Sequence, residues 1–233
     1  RLGQLEGAQE KREKLQKQLA DKEKLYRAEA AALTDIRRTE AERLQRELLS
    51  HLKDLGMEKA RFEVRIDPLT EPGQNGMDRV EFMLSANPGE SLKPLEKVAS
   101  GGEMSRIMLA FKAIAANADS IPTLIFDEID TGISGHIAAV VGEKMVSIAD
   151  NHQVLCVTHL PQIAALADVH FMVQKQDDGQ TTRTSLKRLE MEERYEYIAR
   201  MMSGMEDSKL AYEHARELIT HSEEIKQKRR KNK

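Results

Sequence analysis

The sequence predicts an α/β domain attached to a long coiled-coil helix. Three observations carry this. A proline-free N-terminal stretch places apolar residues at heptad spacing, the pattern changes to period two near residue 61, and short apolar runs then alternate with amphipathic helical segments.

Residues 1–55 are dominated by Glu, Lys, Arg, Gln, Leu and Ala, all strong helix formers. Apolar residues recur at Leu15, Leu19, Tyr26, Leu33 and Ile36, then at Leu44, Leu48, Leu52 and Leu55. These are the steps of a heptad seam, with a stutter between Ile36 and Leu44. Such a helix spans on the order of 80 Å. One narrow stripe cannot bury itself, so the helix requires a partner, and Gly56 is placed to end it. From Arg61 the period is two: Phe62, Val64 and Ile66 alternate with charged residues, and so do Val80, Phe82 and Leu84. Pro, Gly and Asn between residues 67 and 78 predict a loop joining two antiparallel strands. A second turn, Asn87-Pro88-Gly89-Glu90, leads to Val98.

Strand and helix then alternate. Residues 103–117 form an amphipathic helix, with Ile107, Met108, Phe111 and Ile114 at helical spacing. Thr123-Leu124-Ile125-Phe126 is a short apolar run ending in acids, typical of a buried parallel strand. A helix over 137–149, a second buried strand over 154–158 and a short helix over 162–167 follow. Strands over 169–173 and 182–189 close around Asp177-Asp178-Gly179, and two helices near 192–202 and 207–220 are separated by Gly204. Strand–helix–strand order predicts a parallel core. The expected organisation is an arm over 1–56, a globular lobe over 57–225 and a basic, disordered tail over 226–233.

Bulk composition narrows the function. At 233 residues the chain holds one domain plus an accessory element. No apolar run approaches the ~18 residues of a membrane span, and nothing resembles a secretion signal. The single Cys156 excludes an internal disulfide and a cysteine-based zinc site, and its run Val154-Leu155-Cys156-Val157 suggests a small core residue in a reducing cytoplasm. A net charge of −3 gives no basis for nucleic-acid binding, and 4% aromatics without Trp disfavours a base-stacking reader of single strands. The start at Arg1, already in helical sequence, reads as a fragment.

Three segments carry chemistry. Ser100-Gly101-Gly102-Glu103 opens an amphipathic helix, placing free N–H groups and a hydroxyl at the positive end of the helix dipole. This suits an anion, while a plain N-cap is the commoner use of Ser or Gly before a helix. Asp127 and Glu128 end an apolar strand, where open α/β sheets place ligands. One carboxylate there can hold Mg²⁺ while the next orients an attacking water; a strand that merely ends at the surface in acids is the alternative. His159 ends the following strand. If the two strands are parallel neighbours, it shares an edge with Asp127 and Glu128.

In this order, with Asp130 two residues beyond the acid pair, the set resembles the second half of an ABC-type ATPase head. The resemblance makes Ser100, Gly101, Gly102 and Glu103 the signature motif, with Glu103 where transporters usually carry Gln. It makes Asp127 the Mg²⁺ residue, Glu128 the general base, Asp130 the D-loop residue and His159 the switch that senses the γ-phosphate. The spelling is closest in kind to the RecN family of SMC-like ATPases. It is similar in Val98-Ala99-Ser100-Gly101-Gly102-Glu103-Met104-Ser105-Arg106, in Phe126-Asp127-Glu128-Ile129-Asp130-Thr131-Gly132-Ile133-Ser134-Gly135, in Val157-Thr158-His159-Leu160-Pro161-Gln162, and in residues 82–90. The likeness runs from about residue 61 to about residue 218, while the arm fits only generically. It implies an ATP hydrolase acting on DNA in double-strand break repair and recombination, in the cytoplasm at the nucleoid. Two heads would sandwich ATP and Mg²⁺, with the signature motif acting in trans.

No Gly-Lys dipeptide occurs, so the G-x-x-x-x-G-K-[ST] phosphate loop is missing. In the family that loop precedes the coiled coil. The expected partners are therefore the N-terminal half of the same protein, packed against the arm stripe and completing the head, a second head, and DNA. By itself the chain is expected to be inactive. The alternatives are a head of another SMC-type or RecF-type ATPase, or a non-enzymatic coiled-coil scaffold. Seven histidines show no metal-ligand spacing, and Ser100 lacks the G-x-S-x-G turn that a Ser100–His159–Asp127 hydrolase would use. The tail over 226–233 offers cations to DNA phosphates or simply to solvent.

Overall fold

The computed structural model describes residues 2–98, 100–115, 121–177, 181–205 and 208–231. They form two compact units, residues 1–49 with 59–97, and residues 50–58 with 98–233. This grouping differs from the expected boundary at residue 56, because the segment after the helix folds back onto the arm rather than joining the rest of the lobe.

In the first unit, helix α1 (Leu2–Asp54) is the predicted arm, continuing into the second unit over its last turn. Strands β1 (Arg61–Gly73) and β2 (Gly76–Ser85) pair antiparallel, with Phe62 opposite Leu84, Val64 opposite Phe82 and Ile66 opposite Val80, as the alternation requires. The predicted loop over 67–78 is mostly strand: pairing breaks after Pro68, which has no N–H to donate, and resumes at Gly73 and Gly76. A two-residue β3 (Lys93–Pro94), too short to leave a sequence pattern, adds to β2 and leads into a 3₁₀ turn, Leu95–Lys97.

The hairpin lies along the arm. Tyr26 Oη donates to Gly73 O (2.9 Å), Gln45 Oε1 accepts from Val64 N (2.6 Å), and Arg37 Nη2 donates to Asn75 O (2.7 Å). Asp78 accepts from both Thr34 Oγ1 (2.7 Å) and Arg37 Nη1 (3.1 Å). Leu33 sits close enough to Gly76 that a Cβ there would lie 3.2 Å from its side chain. The chain's own hairpin thus covers part of the stripe that the sequence assigns to an absent helix. Leu15, Leu19, Leu25 and Ile36 stay exposed.

In the second unit, α1 ends on Gly56 at φ 77°, with Met57 N–H returned to Leu52 O. The turn packs on helix α3 (Gly135–Ile148): the Ile137 side chain occupies the space where a Cβ of Gly56 would stand, and Lys144 Nζ reaches His51 Nδ1 (2.7 Å) and Asp54 (3.0 Å). Helix α2 (Gly101–Ile114) starts two residues earlier than predicted, and its expected end at Asn117 lies outside the described residues. Strands β4 (Thr123–Phe126) and β5 (Gln153–Cys156) pair in parallel, Phe126 opposite Cys156. Their burial is one-sided. Phe126 is buried and Leu124, Val154 and Cys156 are half-buried, but Ile125 is 71% exposed, Leu155 46% and Val157 60%. A parallel pair is normally covered on both faces; here one face is bare.

Helix α4 (Pro161–Ala164) is shorter than predicted, and its end is closed by buried Arg194, whose Nη2 donates to Ala167 O (2.7 Å). Strands β6 (Phe171–Asp177) and β7 (Thr182–Arg188) form the predicted antiparallel pair; the turn at Asp178-Gly179 lies outside the described residues. Helix α5 (Met191–Ser203) opens on a capping box between Glu190 and Glu193 and closes on Gly204 at φ 67°. Ala164, Ala165, Ile198, Ala199, Ala211, Ala215 and Ile219 form a common core of α4, α5 and helix α6 (Lys209–Lys231), small residues letting the helices approach.

The tail expectation is corrected. Helix α6 runs Lys209–Lys231 and takes in residues 226–231 of the segment expected to be disordered, residues 232–233 lying outside the described residues, because its buried stripe continues from Ala211, Ala215 and Ile219 to Ser222 and Lys226. Lys226 Nζ is buried against Asp168 (3.1 Å) and Glu223 (2.8 Å), and Arg229 Nε reaches Asp150 (2.9 Å). No helix among the described residues is long and apolar enough to cross a membrane.

Asp78→Ala removes the acceptor shared by Thr34 and Arg37 and is expected to weaken hairpin docking by about 1–3 kcal/mol. Amide exchange across residues 26–48 should accelerate while α5 and α6 keep their protection; unchanged exchange in the arm would show that the carboxylate does not hold it.

Candidate functional site

The site is built where β4 and β5 end. Parallel pairing continues one step past the strands, Val157 N–H donating to Phe126 O (3.0 Å), so the segment leaving β5 runs beside Asp127. The two acids of the strand end are exposed, and Glu128 N–H donates to Asp127 Oδ1 (2.9 Å). Glu128 has φ 56°, a left-handed conformation that no other non-glycine adopts among the described residues. Thr131 N–H returns to Glu128 O (3.1 Å), closing the acidic loop as a tight turn.

Asp130 is the inward-facing acid, only 4% exposed. Its Oδ2 accepts from Thr158 Oγ1 (2.6 Å) and His159 N (2.8 Å), and lies 3.1 Å from His159 Nδ1. A buried carboxylate needs such donors, and here all come from the segment after β5. The His159 ring stays largely exposed, oriented by a carboxylate beneath it. Cys156, half-buried one strand away, has its thiol pushed up to about 12 by burial, with Asp130 and Asp127 adding to the effect.

The Ser100 turn meets the same loop. Ser100 caps α2, its Oγ accepting from Glu103 N (3.4 Å), and Ser100 and Gly101 are exposed while Gly102 is buried. A Cβ on Gly101 would stand 2.3 Å from Glu128 Oε2; one on Gly102 would stand 2.9 Å from Glu128 O and 3.1 Å from Thr131 Cβ. Further along α2, Ser105 Oγ donates to Asp127 O (2.7 Å) and Arg106 Nη1 to Thr131 O (2.9 Å) and Ile129 O (3.4 Å). Arg106 is 8% exposed; burial pulls its guanidinium below the ordinary value, with Glu103 opposing. Ser105 and Arg106 carry no role in the sequence reading beyond the motif spelling. The available signal is the position of Arg106 four residues after Gly102, on the buried side of the helix with Leu109 and Ala110.

The structure therefore brings Ser100, Gly101, Gly102, Asp127, Glu128, Asp130 and His159 to one edge. Glu103 lies half-buried in the first turn of α2. Asp127 presents a single exposed carboxylate, and no group of three or more metal-ligating side chains occurs among the described residues. One carboxylate suits Mg²⁺, which is commonly held by one or two carboxylates together with substrate phosphates.

No protein-family model matches the chain. Individual proteins do. The DNA repair protein RecN of Halalkalibacterium halodurans is 48% identical over 202 residues, covering 85% of this chain and 36% of that protein. The RecN proteins of Bacillus subtilis, 40% identical over 241 residues, and Deinococcus radiodurans, 48% over 188, cover 97% and 81% of the chain. The chain is RecN-like. It spans well under half the length of these RecN proteins, 42% and 33% for the last two. A solved Smc head domain with coiled coil and joint from Pyrococcus yayanosii is similar over 72% of the chain at 20% identity and a TM-score of 0.49.

The two RecN-like glycines differ physically. Gly101→Ala meets only the end of a flexible side chain and should fold normally, whereas Gly102→Ala meets backbone and should lose about 1–3 kcal/mol. Thermal melting of the two variants checks this; equal melting temperatures would contradict the packing described.

Proposed function

We propose that this chain is the C-terminal part of a RecN-like, SMC-type ATPase head with its descending arm, acting on DNA in double-strand break repair. The observation that carries the reading is Asp130: a buried carboxylate that ties His159 to the acidic loop at the end of a parallel strand pair. Nothing in a plain strand end requires that arrangement.

In the complete head, Asp127 would hold Mg²⁺, which supplies charge neutralisation at the phosphates when bound. Glu128, exposed beside it, would take the proton of the attacking water. His159, held by Asp130, would contact the γ-phosphate and report its presence. Ser100, Gly101 and Gly102, at the positive end of α2, would bind the γ-phosphate of nucleotide held by a second head. Separation of the heads after hydrolysis would change how the arms hold DNA, and the protein would act in the cytoplasm at the nucleoid. The N-terminal half of the same protein would supply the phosphate loop and cover the bare face at Ile125, Leu155 and Val157. On the arm it would meet Leu15, Leu19 and Leu25.

Among the described residues of this edge, the end of α2 gives an anion about 0.3–1 kcal/mol, up to ~2 in favourable sites, whereas even millimolar affinity needs about 4 kcal/mol. Isothermal titration with Mg-ATP is expected to detect no binding, and a micromolar Kd for the chain alone would sink that part of the reading. In the longer protein carrying both halves, Glu128→Gln is expected to lower turnover by about 10²–10⁴ and to accumulate ATP-bound dimers. Undiminished turnover would remove Glu128 from its role, and absence of turnover in the unaltered two-half protein would favour a scaffold.

A further inference from the structure

Glu128 combines two features that its neighbours in sequence do not explain: a left-handed backbone, and a carboxylate lying over Gly101. A glutamate holds such a conformation only where its surroundings over-determine it. Both peptide groups flanking Glu128 are pinned. The preceding carbonyl, Asp127 O, accepts from Ser105 Oγ, and Glu128 O accepts from Thr131 N–H while resting against Gly102. Thr131 is itself held, its carbonyl accepting from Arg106, which also reaches Ile129 O.

We propose that Arg106, assisted by Ser105, is a positioning residue for Glu128, holding the acidic loop against α2 so that the carboxylate stands over the signature turn. Carbonyls 127, 129 and 131 all face α2, and two consecutive residues of that helix satisfy them. The guanidinium spans two of the three from a single nitrogen. It is buried, so its removal takes the donor from two loop carbonyls at once. A lysine, with a point charge on a flexible stem, reproduces this only in part. The signature turn and the acidic loop are thereby one body, and a phosphate arriving at the turn acts on the loop that carries Glu128. The consequence for turnover rests on the function proposed above; the coupling itself does not.

The 233-residue chain tests the coupling by ¹H–¹⁵N spectra. Glu128→Gln is expected to shift the Gly101 and Gly102 amide resonances, and that shift should be largely lost in an Arg106→Gln background. It should persist in Ile107→Val, a core change one residue away that leaves the carbonyl contacts alone. Ser105→Ala, which removes only the Asp127 bond, should reduce the shift and decides the matter if Arg106→Gln does not fold. A shift as large in the Arg106 or Ser105 background as in Ile107→Val overturns the proposal. In the two-half protein, Arg106→Gln should lower kcat by about 10–10² with KM for ATP little changed, and Arg106→Lys should recover part of it. A change confined to KM would likewise overturn positioning. Absence of turnover in the unaltered protein would defeat the ATPase reading and leave the spectroscopic result standing.

Discussion

A buried carboxylate must find donors, and the edge of this α/β unit is organised around the donors that Asp130 finds. Thr158 and His159 supply them from the segment leaving β5, so the loop after β4 and the loop after β5 become one surface. Parallel pairing brings the two strand ends side by side; it does not orient a histidine. The carboxylate does so, from beneath, leaving the imidazole in solvent where a ligand can meet it. Asp127 and Glu128 are free to be exposed because their neighbour carries the structural load of the loop.

The second helix completes that surface from the opposite side. Its first turn presents Ser100 and Gly101 outward, and its second turn turns Ser105 and Arg106 inward to the carbonyls of the acidic loop. One short helix thus has a face toward any incoming anion and a face toward the acids. Gly102 is the point where the two meet, and only the absence of a side chain permits the approach to Glu128 O.

The arm obeys a different logic. A heptad stripe signals that something will cover it but does not say what. Here a β-hairpin lies along part of α1, and polar residues set its register: Tyr26, Thr34, Arg37 and Gln45 each bond to a defined point on the strands. An apolar seam tolerates sliding, whereas a buried Asp78 with two partners does not. Cover along this part of the arm is therefore specified by hydrogen bonds as well as by hydrophobic contact.

Much of the fold was legible in residues alone, because helix periodicity, caps and strand alternation arise from contacts within four residues along the chain or two across a turn. The helix end at Gly56, the alternation of Phe62, Val64 and Ile66 and of Val80, Phe82 and Leu84, the cap at Ser100 and the close at Gly204 all belong to that class. The candidate acids, turn and histidine were nominated by their order along the chain, over residues 100–159. What tertiary structure alone decided was partnership. It chose Asp130 as the buried acid of the three and gave Arg106 to the loop carbonyls. It continued α6 through a basic run by pairing Lys226 with Asp168 and Arg229 with Asp150, and it left Ile125 bare where an apolar run suggests burial. These outcomes depend on groups distant in sequence meeting in a desolvated place, and the free energy of that meeting is set by geometry that no local pattern encodes.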